Sequence, residues 1–229
     1  MKLFGRSQET GGFDRRDREL LMGMLVSMGA LVRDNLSAVL GRLSGPLDDW
    51  GMPPDEPVDS MEVRVEQECL RLMALRQPLR EDLRFCFAVL RIAKDLERMG
   101  DEAQNVYEEL SNLKGPVDLA EWGELPLMGS RCLEMMDDAM DSMVRLDGQL
   151  AVEVFRRDDQ VDQLWGSLRL RAAEAIGDRC GSGRDWAMGL LSLLAVGRHL
   201  ERVADHCANV AELAYFVITG RRLRGEEIP

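Results

Sequence analysis

Apolar residues return every three or four positions along most of this 229-residue chain, the spacing that lays one stripe down a helix. One such set is Val58, Met61, Val65, Cys69 and Leu72. A second is Leu83, Cys86, Leu90, Ala93, Leu96, Met99, Ala103, Val106 and Leu110, and a third is Val161, Leu164, Leu168, Ala172 and Ala175. Breakers cut the chain into six helical pieces. The first begins near Phe13 and ends at Pro46, Gly51, Pro53 and Pro54; the second starts at Asp55 or Asp59 and stops at Pro78. The third runs from Arg80 to Leu113, before Gly115-Pro116. The fourth is expected from about Pro126 to Arg157, the fifth from Asp158 to Asp178, and the sixth from Asp185 to Thr219 after the Gly181-Ser182-Gly183 turn. Helices with one stripe each and mostly short connections pack as bundles.

The pieces repeat. The run Leu96-Glu97-Arg98-Met99-Gly100-Asp101-Glu102-Ala103-Gln104-Asn105-Val106 aligns with Leu200-Glu201-Arg202-Val203-Ala204-Asp205-His206-Cys207-Ala208-Asn209-Val210, with six of eleven positions identical. Upstream, Asp55 to Asp59 aligns with Asp158 to Asp162, and the two segments lie 42 and 43 residues apart in the respective halves. The fold expected is all-α: two tandem, pseudo-symmetric three-helix bundles, at residues 13–114 and 117–219, joined end to end, with 1–12 and 220–229 as flexible tails.

Composition narrows the function. With 29 basic and 41 acidic residues the net charge is −12, so a phosphate backbone would repel the chain and nucleic acid is excluded as a partner. The basic cluster Arg221, Arg222 and Arg224 is short and lies beside Glu226 and Glu227. The five cysteines are scattered with no CxxC pair and read as reduced core thiols. Leu20 to Val32, the most apolar early stretch, is thirteen residues long, short of the ~20 that span a bilayer. No membrane insertion and no secretion leader are expected, and the cytoplasm is the expected location.

Residues four apart stand one above the other on a helix. Each half therefore carries two carboxylate pairs on neighbouring helices: Asp55 with Asp59 and Glu97 with Asp101, then Asp158 with Asp162 and Glu201 with Asp205. Two like charges 4 Å apart repel by about 1 kcal/mol in water and ~4 kcal/mol at a protein surface. Four converging carboxylates thus need cations, protonation or open solvent. An all-oxygen donor set suits hard cations such as Mg, Mn, Ca or ferric iron. Roughly seven acidic i,i+4 pairs would arise by chance in so acidic a chain, so one pair alone means little. Asp137 with Asp141, which has no repeat partner, is assigned to a solvated face; registration in both halves lifts the other four.

Asn105 and Asn209 extend the stripes and could support a ligand or bond a neighbouring helix. Arg98 and Arg202 pair most simply with Asp101 and Asp205. Glu62 and Glu66 continue the first stripe, but their counterparts are Trp165 and Arg169, so the two sites need not match. His199 and His206 are the only histidines. Neither follows a Glu at three residues, against the Glu-x-x-His pattern of diiron bundles. His206 adjoins Asp205 and either joins the second site or is an exposed or pairing imidazole. No phosphate-binding loop, nucleophile elbow or Cys–His arrangement occurs, and no catalytic activity is expected.

Arg76-Gln77-Pro78, Asp82-Leu83-Arg84 and Leu96-Glu97-Arg98 through Asp101, with the second Leu200-Glu201-Arg202 and Asp205, resemble the signature of the PhoU family. The resemblance runs from about Phe13 to Gly220. It implies two three-helix bundles with metal ions or multinuclear clusters on the eight carboxylates, the ions being iron, magnesium, manganese or zinc. It also implies a negative regulator of phosphate uptake and phosphate-starvation signalling. Such a regulator acts between the ATPase subunit of the phosphate ABC transporter and a phosphate-sensing histidine kinase, with a homodimer among the open oligomeric states. One departure stands out: Gly45-Pro46, Gly51 and Pro53-Pro54 interrupt the first helical junction, which in the family is nearly continuous helix. Pro57 then requires the second helix to start near Asp55. The chain is expected to resemble the plain two-bundle members, without a DNA-binding extension. Two alternatives from other classes remain, a metal-dependent enzyme or metal-storage bundle, and a metal-independent helical scaffold.

Overall fold

The structure, a computed structural model, describes residues 12–44, 51, 55–113, 117–178 and 183–224. Most of the Gly/Pro-rich junction at 45–54, the Gly115-Pro116 break, Cys180 and the outermost tails fall outside these. Among the described residues there are six α-helices and no strand: α1 (Arg15–Leu40), α2 (Glu56–Arg76), α3 (Glu81–Ser111), α4 (Glu124–Arg145), α5 (Gly148–Asp178) and α6 (Arg184–Thr219). Short 3-10 turns follow α1 (Gly41–Ser44) and precede α4 (Leu119–Glu121).

Helix ends follow local chemistry. Asp14 caps α1 by accepting from the Asp17 N–H at 2.9 Å, while the Asp17 carboxylate accepts from the Asp14 N–H at 3.0 Å, a reciprocal capping box. Gln77, left-handed at φ 48, stops α2 just before Pro78. The fourth helix is shorter than the sequence pattern predicts. It ends at Arg145 rather than Arg157, with Leu146 left-handed at φ 55. Asp147 then accepts from the N–H groups of Gln149 and Leu150, both at 3.0 Å, and starts α5 ten residues earlier than expected. A side-chain cap outweighs the apolar periodicity that runs unbroken through this region. α5 is therefore 31 residues long and α2 21.

Each bundle buries its predicted stripe. Val58, Val65, Cys69 and Leu72 on α2 face Cys86, Ala93, Leu96, Met99 and Ala103 on α3, and Val161, Leu168 and Ala172 on α5 face α6 in the same way. Leu83, the first member of the α3 stripe, is exposed instead. The buried cysteines Cys69, Cys86, Cys132 and Cys207 are free thiols. Burial pushes the Cys132 thiol up to about 12 and holds it protonated.

The two bundles do not meet end to end. They lie side by side, with α3 running antiparallel to α6 over most of its length and α1 crossing α4. Contacts place Phe87 against Phe216 at one end of the α3–α6 seam and the Met99 sulfur 3.7 Å from the Cys207 thiol near its middle. Arg33 of α1 pairs with Asp137 of α4 at 2.7 Å across the halves, and Asp137 remains exposed, on the solvated face expected of it. One apolar core runs through both bundles. The segment after Gly220 is not wholly a free tail. Leu223 is buried, and Arg224 donates to the Asn209 side chain at 2.9 Å. Among the described residues no helix is long and apolar enough to cross a membrane.

Candidate metal centre

Asp55 stands immediately before α2 and Asp59 in its first turn, while Glu97 and Asp101 occupy the middle of α3. Pro57 falls at the start of α2, where its missing N–H costs nothing. Asp55 sits at the cap position, yet its side chain makes no cap hydrogen bond. Its Oδ1 points instead toward α3 at Gly100, where an added Cβ would lie only 3.2 Å away. The glycine thus lets this carboxylate approach the α3 backbone closely. The second set comes from α5 (Asp158, Asp162) and α6 (Glu201, Asp205), with Ala204 where the first half has Gly100.

The structure brings all four carboxylates of each set close enough to perturb one another. Burial first, then the charges of Asp59, Asp101 and Glu97, push Asp55 up to about 6. Burial, then Asp205, Asp162, Asp159 and Glu201, push Asp158 up to about 7. Asp101, Asp162 and Glu201 are also raised, burial leading in each case. Among the described residues, five buried side-chain polar atoms have no hydrogen bond, and four are Asp55 Oδ1, Glu97 Oε2, Asp158 Oδ1 and Glu201 Oε2. These four atoms form two repeat-related pairs.

A cation is already tethered at each glutamate. Lys94 Nζ lies 2.9 Å from Glu97 Oε2 and 3.3 Å from Glu62 Oε1, an ion pair too bent to count as a hydrogen bond at Glu97. At the equivalent position of α6, Arg198 pairs with Glu201 Oε1. Each guanidinium or ammonium offsets part of the local negative charge and leaves the rest unbalanced. The sites differ where the repeat differs. Trp165 replaces Glu62 and packs over Gly197, where a Cβ would come within 2.9 Å of the indole, and Arg169 stacks on it at 5.7 Å.

Tested against a metal, the donor set fits a hard cation: eight carboxylates, no thiolate, and buried oxygens of Asp55, Asp158 and Glu201 without hydrogen bonds. Among the described residues, however, no three His, Cys, Asp or Glu side chains stand as a closed coordination sphere. A cation would draw in the exposed Asp59, Asp101 and Asp162 by rotamer changes.

Both histidines lie elsewhere, on the seam between the halves. His206 Nδ1 is 2.9 Å from Asp95 Oδ1, to which Asn209 also donates at 3.3 Å. His199 Nδ1 is 2.6 Å from Glu102 Oε2, and Arg202 reaches Glu102 Oε1 at 2.8 Å. Arg202 thus serves the seam rather than Asp205, and Asn105 donates to Glu102 at 3.4 Å. Burial works to raise the Glu102 pKa, but His199, Arg202 and Asn105 outweigh it and the net shift is downward. In the repeat, Asp95 is equivalent to His199 and Glu102 to His206. Exchanging the halves therefore turns one ion pair into the other, as a pseudo-two-fold axis requires. Sequence reading missed this network because Asp95 and Glu102 flank the Glu97–Asp101 pair and lie outside its spacing of four. The available signal was two acids in one half aligned with two imidazoles in the other.

Comparison with known proteins bears on the fold and the family. The family model for the PhoU domain matches residues 54–110 and 125–214, one segment in each half. A Zymomonas mobilis protein named phosphate-specific transport system accessory protein PhoU homolog is 31% identical over 91% of this chain and 89% of its own. A Deinococcus radiodurans protein of the same name is 37% identical over 73% of this chain and 77% of its own. The crystal structure of PhoU from Pseudomonas aeruginosa superposes with a TM-score of 0.80 at 28% identity, over 90% of this chain and 99% of that one. A PhoU structure from Streptococcus pneumoniae, at 22% identity and a TM-score of 0.69, shares the fold. With both halves matched and the coverage nearly complete, the chain belongs to the PhoU domain family.

Proposed function

We propose that this chain is a negative regulator of phosphate uptake and phosphate-starvation signalling. It works by docking rather than catalysis, from the cytoplasm, as an adaptor between the ATPase subunit of the phosphate ABC transporter and a phosphate-sensing histidine kinase. Divalent or ferric ions on Asp55, Asp59, Glu97 and Asp101, and on Asp158, Asp162, Glu201 and Asp205, condition its docking faces. Relatives named as accessory proteins of the phosphate-specific transport system, aligned along most of both chains, support the role in phosphate transport. The observation that carries the metal part is the repeat-related pair Asp55 Oδ1 and Asp158 Oδ1, buried without hydrogen bonds, with Glu201 Oε2 unbonded beside the second and Glu97 Oε2 held only by Lys94 beside the first. A bound cation neutralises or reverses the charge of a strongly acidic face and so changes which surface can dock on it.

A strain lacking the protein is expected to express phosphate-scavenging genes even in phosphate-rich medium, read with a reporter. Changing Glu97, Asp101, Glu201 and Asp205 together to Ala leaves the buried stripes untouched, so that variant folds yet loses much of the repression. Normal repression in the deletion strain overturns the regulatory role. Full repression by the folded quadruple variant removes metal from the mechanism.

A further inference from the structure

The start of α3 carries an apolar face that the α3–α6 seam covers only at its edge. Leu83 and Phe87 stand one turn apart and are 47% and 41% exposed, Leu79 in the turn just before the helix is 69% exposed, and Phe85, Cys86 and Val89 beside them fill the core. Phe87 meets Phe216 of α6 edge to face, ring centroids 6.4 Å apart. Phe216 in turn carries two guanidiniums over its ring, Arg84 at 5.9 Å and Arg222 at 5.3 Å. Arg84 is held in place by donating to the Val217 carbonyl at 3.2 Å. Arg80 sits between Leu79 and Leu83, and Arg91 and Arg98 prolong the same exposed line along α3.

This local chemistry runs against the rest of the molecule, whose net charge is −12. Most acids nearby are already engaged. Asp82 is held by Arg18 at 2.5 Å, and Glu212 is buried against Arg222 and Arg224 at 3.9 and 4.0 Å. Glu81 is the exposed acid of this turn. What distinguishes the patch from its repeat counterpart is charge and aromaticity. Leu83, Arg84, Phe87 and Phe216 correspond to Ala187, Met188, Leu191 and Asn112; Met188 and Leu191 are exposed as well, but Glu108, Glu109, Asp185 and Arg184 line that end of the seam.

We propose that the Leu83–Phe87 face of α3, together with Leu79 in the turn before it and Phe216, docks an acidic segment of a protein partner. Apolar side chains of the segment seat on Leu83 and Phe87, and its carboxylates pair with Arg80, Arg84, Arg91 and Arg222. Bidentate guanidinium–carboxylate pairing around an aromatic anchor is the chemistry that such a surface selects. An anionic bilayer is disfavoured because it extends well beyond the Debye length of ~8 Å and would face the acidic remainder of the molecule as well. A second copy docked by two-fold symmetry would set guanidiniums against guanidiniums. The proposal stands independently of the metal sites and says where on the molecule a partner sits.

The test places a benzophenone amino acid at position 87 of the full chain in phosphate-replete cells, with position 191 as the control, and maps the adducts by mass spectrometry. Position 87 is expected to label an acid-rich segment bearing apolar residues, and position 191 is not. Adding Arg80→Glu and Arg91→Glu, two exposed positions outside the core, is expected to cut the adduct on the order of tenfold, the size of ~1.4 kcal/mol. A lipid adduct, an adduct with another copy or with Glu226 and Glu227 of this chain, a neutral or basic target, no adduct at 87, or indifference to the charge reversals each overturns the proposal.

Discussion

Stripped of metal at pH 8, the protein must hold Asp158 and Asp55 as carboxylates in sites that disfavour the charge. Asp158 is raised from 3.8 to about 7, and Asp55 to about 6. Both folded pKa values lie above the unfolded ones, so between about pH 4 and 7 the folded state binds more protons than the unfolded state. The resulting stability is complete below the unfolded pKa and is lost as pH rises through 6 to 7. For Asp158 the three-unit shift corresponds to a ceiling of ~4 kcal/mol at 1.36 kcal/mol per unit. Its carboxyl is partly open to water, and screening brings that to on the order of 1–2 kcal/mol, with less from Asp55. For a chain of this size, about 2 kcal/mol moves Tm by roughly 4–8 °C. Between pH 5.5 and 8 about half of the Asp158 shift and little of the Asp55 shift is crossed. Metal-free protein should therefore melt roughly 2–4 °C higher at pH 5.5 than at pH 8, followed by circular dichroism at 222 nm. Asp158→Asn, which removes the charge, should melt higher than wild type at pH 8 and show a flatter profile. Adding Mn(II) should reverse the slope, with a large gain at pH 8 that vanishes as the ligands protonate near pH 6. A metal-free Tm that falls between pH 8 and 6, or a variant as steep as wild type, would refute the reasoning.

Two further outcomes follow from the packing. Asp95→Ala leaves His206 and Asn209 without their shared acceptor in the buried seam and should cost about 3 kcal/mol, read from urea unfolding; an unchanged midpoint would mean the seam does not depend on this pair. Gly197→Ala sets a Cβ 2.5 Å from Leu168 Cδ2 and should cost roughly 1–3 kcal/mol, whereas the equivalent position in the first half already carries Ala93 and Ala93→Gly should relieve no strain.

The helices and their repeat were legible because period and breakers agree: each apolar stripe from Val58 to Leu72 and from Val161 to Ala175 is now a buried face. The eight carboxylates were legible for the same reason, since registration in two halves is visible without coordinates. What escaped is partly local turn chemistry and partly contacts between residues distant in sequence. The break at Leu146 lies in an unbroken apolar rhythm and is made by one aspartate cap. The side-by-side packing of the bundles leaves no mark on either stripe, because α3 and α6 use a second, flanking face for each other. Asp95 and Glu102 carry no mark of their own in the sequence; their partners His206 and His199 come from the other half. Leu83 fits the core period, yet the turn after Pro78 leaves it outside.

The most direct test of the central claim, that the two repeat-related carboxylate clusters are cation sites, is a calorimetric titration of chelator-stripped protein with Mn(II) at pH 8. Asp101→Asn, Asp205→Asn and the double variant are titrated in parallel. Each single variant is expected to lose the binding of one half and keep the other, and the double variant to lose most of both. The ~2.7 kcal/mol of stabilisation that a ligand gives at 100 times its Kd should disappear with it. Equal heats and equal melting in wild type and double variant would contradict the account and leave the eight carboxylates as a solvated face.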